Sequence, residues 1–177
     1  KIILGLVVLL SIFALVACSG GSDQAANEEQ ESADVVTTAS IVDEESAFKE
    51  AISADGNWII ATLNDLTFEE AITVEGNFYD GGNPENDLYR KIAAYAQDDE
   101  YNVTDRYTIT APEMHIKSPN TRFQSGTFVG NIIVKANDFT LYDATVEGNI
   151  FFSRKEYKNS AEITEDSKVT GNIKVKN

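Results

Sequence analysis

The chain has 177 residues, with 29 acidic against 14 basic side chains, one Cys and one His. A formal charge of −15 argues against nucleic acid and against an anionic lipid surface as partners. A single Cys excludes an intramolecular disulfide or a Cys-rich metal site, and the length is one domain's worth, enough to bury a core.

Behind Lys1, residues 2–17 form an apolar run. It is short for a membrane-spanning helix of about 18 to 20 residues and stands where the h-region of a secretory signal belongs. The run ends Leu15-Val16-Ala17-Cys18. A small residue before the sole Cys resembles the bacterial lipobox, in which that Cys becomes the lipidated N-terminus. The resemblance implies a signal peptide over 1–17, lipidation at Cys18 and an extracytoplasmic protein anchored to the bacterial cell membrane. The competing reading is a free thiol at the end of an ordinary signal or of a membrane helix. Residues 18–40 are mostly Ser, Gly, Ala, Gln, Glu and Asp, with hardly a large apolar side chain before Val35. Such a stretch cannot bury a core and predicts a flexible acidic linker spanning roughly 25 Å.

The folded domain is expected over 41–177. Asp43 is placed to cap a helix over 43–53, with Glu44 and Glu45 in its first turn and Ala47, Phe48, Ala51 and Ile52 as its apolar stripe. A turn at Asp55-Gly56-Asn57 precedes an apolar run from Trp58 to Leu63 and short Thr/Val-rich pieces, which read as strands. The polar stretch 80–87, DGGNPEND, is a loop. The apolar residues 88–96 suit strand or helix, and strand is preferred because strands flank them. RYTITA at 106–111 resumes the strand pattern.

Gly-Asn occurs six times where about one pair is expected from 11 Gly and 14 Asn. Lys117 to Ile132 aligns without a gap on Lys135 to Ile150, a period of 18 residues, and the next Gly-Asn follows after 23, with RKEYK as the insertion. This period suits one turn of a parallel β-solenoid. Layers would stack about 4.8 Å apart, so identical positions would face one another. Glycine tolerates positive φ at the turns, and stacked Asn side chains can hydrogen-bond as a ladder. The expected turn ladder is Gly76-Asn77, Gly130-Asn131, Gly148-Asn149 and Gly171-Asn172. Val74, Phe128, Val146 and Val169 point inward before it, and Phe78, Ile132, Ile150 and Ile173 after it. The alternative is an antiparallel sandwich with Gly-Asn hairpins. Against it, the copies align in the same direction.

The segments GNWIIATLNDLTFEEAITVEGNF, YTITAPEMHIKSPNTRFQSGTFVGNI and DATVEGNI resemble a group of uncharacterised bacterial lipoproteins, and more distantly right-handed parallel β-helix proteins of the pectate-lyase type. The resemblance covers most of the chain beyond the linker. It implies an all-β, right-handed parallel β-helix and assigns no activity; the apolar stripe of the helix over 43–53 suits it to cap the N-terminal end, with Phe48 on the first coil. The motifs themselves point to no cofactor, no metal and no catalytic residue. His115 lacks a Cys or Ser partner signature and reads as a structural or surface residue. The loop 80–87 matches neither an EF-hand nor a calcium nonapeptide, and whether it binds calcium stays open. Arg106, Arg122 and Arg154 are available as lyase bases, yet no carboxylate cluster aligns with them in the sequence.

Two function classes follow. The first is a non-catalytic envelope module that binds a wall polymer or an envelope protein, or self-associates at its C-terminal edge, where only Lys174 and Lys176 guard the last strand. The second is a polysaccharide-lyase-like enzyme or a calcium-dependent glycan binder. Tyr142, Phe151 and Tyr157 are the candidate glycan-stacking aromatics.

Overall fold

The structure is a computed structural model that describes residues 39–176. The signal 1–17, Cys18 and all but the last two positions of the linker lie outside the described residues. The first element, β1 (Ala39–Val42), begins inside the stretch read as linker. Among the described residues no helix is long and apolar enough to cross a membrane.

The fold is dominated by strands arranged in two parallel sheets. The first sheet runs β1, β2 (Ile59–Thr62), β5 (Arg90–Ala93), β9 (Thr121–Gln124), β11 (Thr140–Tyr142) and β14 (Glu162–Ile163). The second is built around two long strands, β8 (Thr108–Ile116) and β10 (Thr127–Val134), which pair with each other. Short strands complete it: β3 (Leu66–Thr67) and β4 (Ile72–Val74) against β8, and β12 (Thr145–Glu147) and β13 (Ile150–Phe152) against β10. Its outer layer is β15 (Lys168–Val169) and β16 (Ile173–Val175). The chain alternates between the sheets, and each visit lies in parallel register on the last. Hairpins of a sandwich would give antiparallel ladders, so that alternative is excluded. Among the described residues the antiparallel pairings are β6 (Tyr95–Gln97) with β7 (Val103–Arg106), and the Tyr79–Leu88 bridge.

Period-two alternation decides which side chains go inside. Ile60, Ile92, Phe123 and Leu141 form the buried row of the first sheet, and Ile109, Phe128 and Val146, then Met114, Ile132 and Ile150, form rows of the second. Each large apolar side chain so buried contributes about 1.5–3 kcal/mol. The row thins at the last layer, where Ile173 is 38% exposed against 0% for Ile150.

The Gly-Asn pairs bend β10 and separate β12 from β13. Gly130 has φ +136° and Gly148 φ +157°, and a Cβ on either would lie 1.9 Å from a carbonyl oxygen of the layer beneath. Close stacking, as much as backbone conformation, demands glycine here. Asn131 accepts from the backbone N–H (3.1 Å) and Nδ2 (2.8 Å) of Asn149, and Asn149 accepts likewise from Asn172 (2.9 and 3.3 Å). Gly76-Asn77 does not belong to this ladder. Val74 lies opposite Ile116, as does Val134, so Gly76-Asn77 follows the strand layer that Gly130-Asn131 precedes. It forms a different corner, with φ +107° at Gly76. Phe78 is accordingly half-buried beside Arg90 rather than part of the inner row.

Helix α1 (Glu45–Ala51) buries Phe48 and Ala51, and Phe48 packs 5.6 Å from Phe68 beside β3. It packs on β1 and β2 of the first sheet and reaches the start of the second through Phe68 and the bond from Glu75 N–H to the Ile52 carbonyl. Glu44, not Asp43, occupies the extended N-cap position and makes no side-chain cap bond, because the chain leaves β1 only at Val42. The stretch 88–96 is strand, as expected. The RKEYK insertion carries α2 (Lys155–Ser160).

One buried cation ties this end together. Arg90 donates to the carbonyls of Glu75, Ala51 (2.8 Å) and Ser53 (2.9 Å), and its guanidinium lies 4.0 Å from the centre of the Phe78 ring. Burial lowers its pKa to about 10, with Glu75 opposing the fall, so it remains charged at neutral pH.

Candidate functional site on the outer face of the first sheet

The residues that alternate with the first sheet's buried row face outward. Because Ile92 and Phe123 point in, Lys91 and Arg122 point out, and the β5–β9 register sets them directly opposite each other. Tyr142 follows on β11, opposite Gln124. Hairpin β6–β7 folds back over this face, where Tyr95 and Val103 pack on Ala61 and Ala93, and the Tyr95 hydroxyl accepts from Gln124 Nε2 at 3.2 Å.

Arg122 is held between two rings. Its guanidinium carbon lies 5.6 Å from the centroid of Tyr89 and 5.0 Å from that of Tyr142, and Trp58 stands 6.0 Å beyond Tyr89. Cation–π contacts of this kind are worth about 0.5–1 kcal/mol each, and they fix the orientation of a side chain that would otherwise be free. Among the described residues neither Lys91 nor Arg122 is joined to a carboxylate, and Arg122 Nε is buried with no hydrogen-bond partner. Burial first, then the neighbouring Arg122, push the Lys91 ammonium below the usual lysine range. Burial likewise raises the Tyr89 and Tyr95 phenols, so both stay protonated and able to donate at neutral pH.

The other sequence candidates are scattered and engaged. Arg106 pairs with Asp143 at 2.7 Å, and Asp143 also accepts from Ser125. Arg154 pairs with Glu156 at 3.2 Å and lies 5.7 Å from the Tyr157 ring. Phe151 lies beneath Lys174 and Lys176. His115, on the outer face of the second sheet, sits 2.7 Å from Glu113 through Nε2 and 3.2 Å from Lys135 Nζ through Nδ1. In the loop 80–87, the Asn83 side chain accepts from Glu85 N–H and Asn86 donates to the Asp80 carbonyl, which are turn contacts. Among the described residues no three His, Cys, Asp or Glu side chains are grouped as metal ligands.

Of the three arginines and three aromatics singled out in the sequence, the structure brings together Arg122 with Tyr142, and Arg154, already paired to Glu156, with Tyr157. Lys91, Tyr89, Tyr95 and Trp58 were not signalled. The 18-residue alignment does not reach β5, because the β6–β7 hairpin lengthens the pass between Lys91 and Arg122. Chemically, two adjacent cations with aromatic walls and no carboxylate form a receptor for negative charge rather than an acid–base pair. Comparison with family models, characterised proteins and solved structures found no match.

Proposed function

We propose that the described region is a right-handed parallel β-helix serving as a non-catalytic binding module of the bacterial envelope, anchored to the membrane through a lipid on Cys18. Three supports bear on the fold: the layered parallel registers, the Asn ladder, and the right-handedness of nearly all crossovers between parallel strands. The lipobox supports the anchor. The observation that carries the binding reading is the outer face of the first sheet, where Lys91 and Arg122 stand among Tyr89, Tyr95 and Tyr142. Such a face suits an extended wall polymer better than a small molecule, because the sheet beneath it continues from layer to layer. A lyase needs an arginine base beside carboxylates that hold a cation. Arg122 has none, and Arg106 is tied to Asp143.

The test is co-sedimentation of the purified full chain with insoluble cell-wall material, alongside a lyase assay that follows unsaturated products by absorbance. Retention on the wall without product formation is expected. Product formation, or no retention, would overturn the reading. Fatty-acid labelling that survives in the parent and is lost in Cys18→Ala would support the anchor, and an unlabelled parent would remove it.

A further inference from the structure

Resting on the binding reading above, we propose that Lys91 and Arg122 form an oxyanion site, and that the polymer bound on this face is an acidic polysaccharide whose carboxylate or phosphate groups meet the Arg122 guanidinium beside Lys91, with Tyr89 and Tyr142 flanking that guanidinium. The argument begins with charge. The chain carries 29 acidic side chains, and the cations Lys117, Arg106 and Arg154 each reach one. Lys91 and Arg122 instead lie directly opposite each other in the sheet, where like charges on paired positions destabilise the ladder. An arrangement costly to the free protein is relieved when a ligand brings negative charge.

Geometry narrows the ligand. Arg122 is clamped by Tyr89 and Tyr142, so its planar fork is oriented before binding and matches the two oxygens of a carboxylate or phosphate. Lys91, as a point charge beside it, favours a doubly contacted anion. Tyr89 and Tyr142 belong to layers two steps apart, a separation of roughly 9.6 Å at sheet spacing. Their rings and the Trp58 ring beyond Tyr89 supply apolar surface for sugar faces on either side of the anion. A sugar polymer with regularly placed acidic groups has both features, and a neutral glucan lacks the first.

Trp58 is the sole Trp of the chain and lies against Tyr89, so its fluorescence reports on this face. The full chain in non-ionic detergent would be titrated with oligogalacturonate, with the methyl ester of the same oligomer, and with a glycerol phosphate oligomer. An acidic oligomer is expected to bind, the neutral ester at least about tenfold more weakly, and Arg122→Gln and Lys91→Gln each to weaken acidic binding by at least about tenfold. Arg106→Gln, at an arginine already paired, is expected to leave it unchanged. The ratio of uronate to phosphate affinity identifies which anion the site takes. Thermal unfolding of each variant confirms that it is folded. Equal affinity for acid and ester, unchanged affinity in both Arg122→Gln and Lys91→Gln, or no response to any probe at millimolar concentration would overturn the site. If Arg122→Gln still co-sediments with wall material, the module reading stands and only this site falls. If the parent itself is not retained, the module reading falls.

Discussion

The two outer faces rest on the same kind of parallel ladder yet treat charge in opposite ways. On the second sheet, Lys117 is 3.1 Å from Glu75, and Lys135 meets His115, which meets Glu113. On the first sheet, Lys91 faces Arg122 across the ladder and the surrounding groups are phenols and an amide. Solvated cross-strand pairs such as those of the second sheet are worth up to about 1 kcal/mol and need no further purpose. Facing cations repel each other in the free chain, a cost that the contacts of Arg122 with Tyr89 and Tyr142 offset. The contrast separates charges that keep the protein soluble from charges held for a ligand, a distinction that net charge conceals.

The largest expected effect tests whether the faces share one core. Ile150→Asp places a carboxylate on the innermost row and should cost at least about 4 kcal/mol. Trp58 fluorescence and far-ultraviolet circular dichroism should then report one common denaturant midpoint. Separate transitions would mean that the faces fold independently and the comparison loses its basis.

Arg90 supplies the counter-case of a cation whose two terminal nitrogens donate to carbonyls. Arg90→Met should lower stability by about 2–3 kcal/mol, since it leaves the Glu75, Ala51 and Ser53 carbonyls without a donor. Urea titration would show it, and a loss below about 0.5 kcal/mol would mean that a buried cation here needs no partner. On the first sheet the sign reverses. Lys91→Met should raise stability by about 0.5–1 kcal/mol by removing a like-charge contact, whereas Lys117→Met on the second should lower it by no more than about 0.5 kcal/mol. Two changes of the same sign in calorimetry would erase the contrast.

The smallest effect concerns Glu113. The hydrogen bond from His115 lowers its carboxyl pKa below the ordinary 4.5. A depressed carboxyl contributes stability that is present above the unfolded value and lost as pH falls through the folded one. Stability of the parent should therefore fall more steeply below pH 4.5 than that of Glu113→Gln. Parallel acid limbs would show that the second-sheet cluster is not coupled to folding.

The parts legible in the sequence were those that repeat. Phe128 and Val146, Ile132 and Ile150, and Asn131 and Asn149 fall one period apart, and Asn172 joins them once the RKEYK insertion is set aside, because each layer must meet the one beneath in identical fashion. Gly76-Asn77 misled because a dipeptide can mark any tight corner, and only strand register tells one corner from another. Arg122 and Tyr142 were visible singly, as residue types. Their meeting with Lys91 and Tyr89 was hidden, since cross-strand neighbours on an outer face obey no hydrophobic period and here lie either side of the β6–β7 hairpin. The Asp43 cap failed for a related reason: β1 holds the chain extended as far as Val42, and the pairing of that strand with β2 fixes where the helix can start.

Three irregular segments sit where the chain passes from one sheet to the other: the turn at Asp80–Gly82 between β4 and β5, the β6–β7 hairpin between β5 and β8, and α2 between β13 and β14. The layers on either side remain in register across each of them. Heredity can therefore add or trim sequence at these corners without renegotiating the interior. An architecture of this sort accumulates novelty the way a stack of shelves takes new brackets: at the edges, one level at a time, with the old levels left standing.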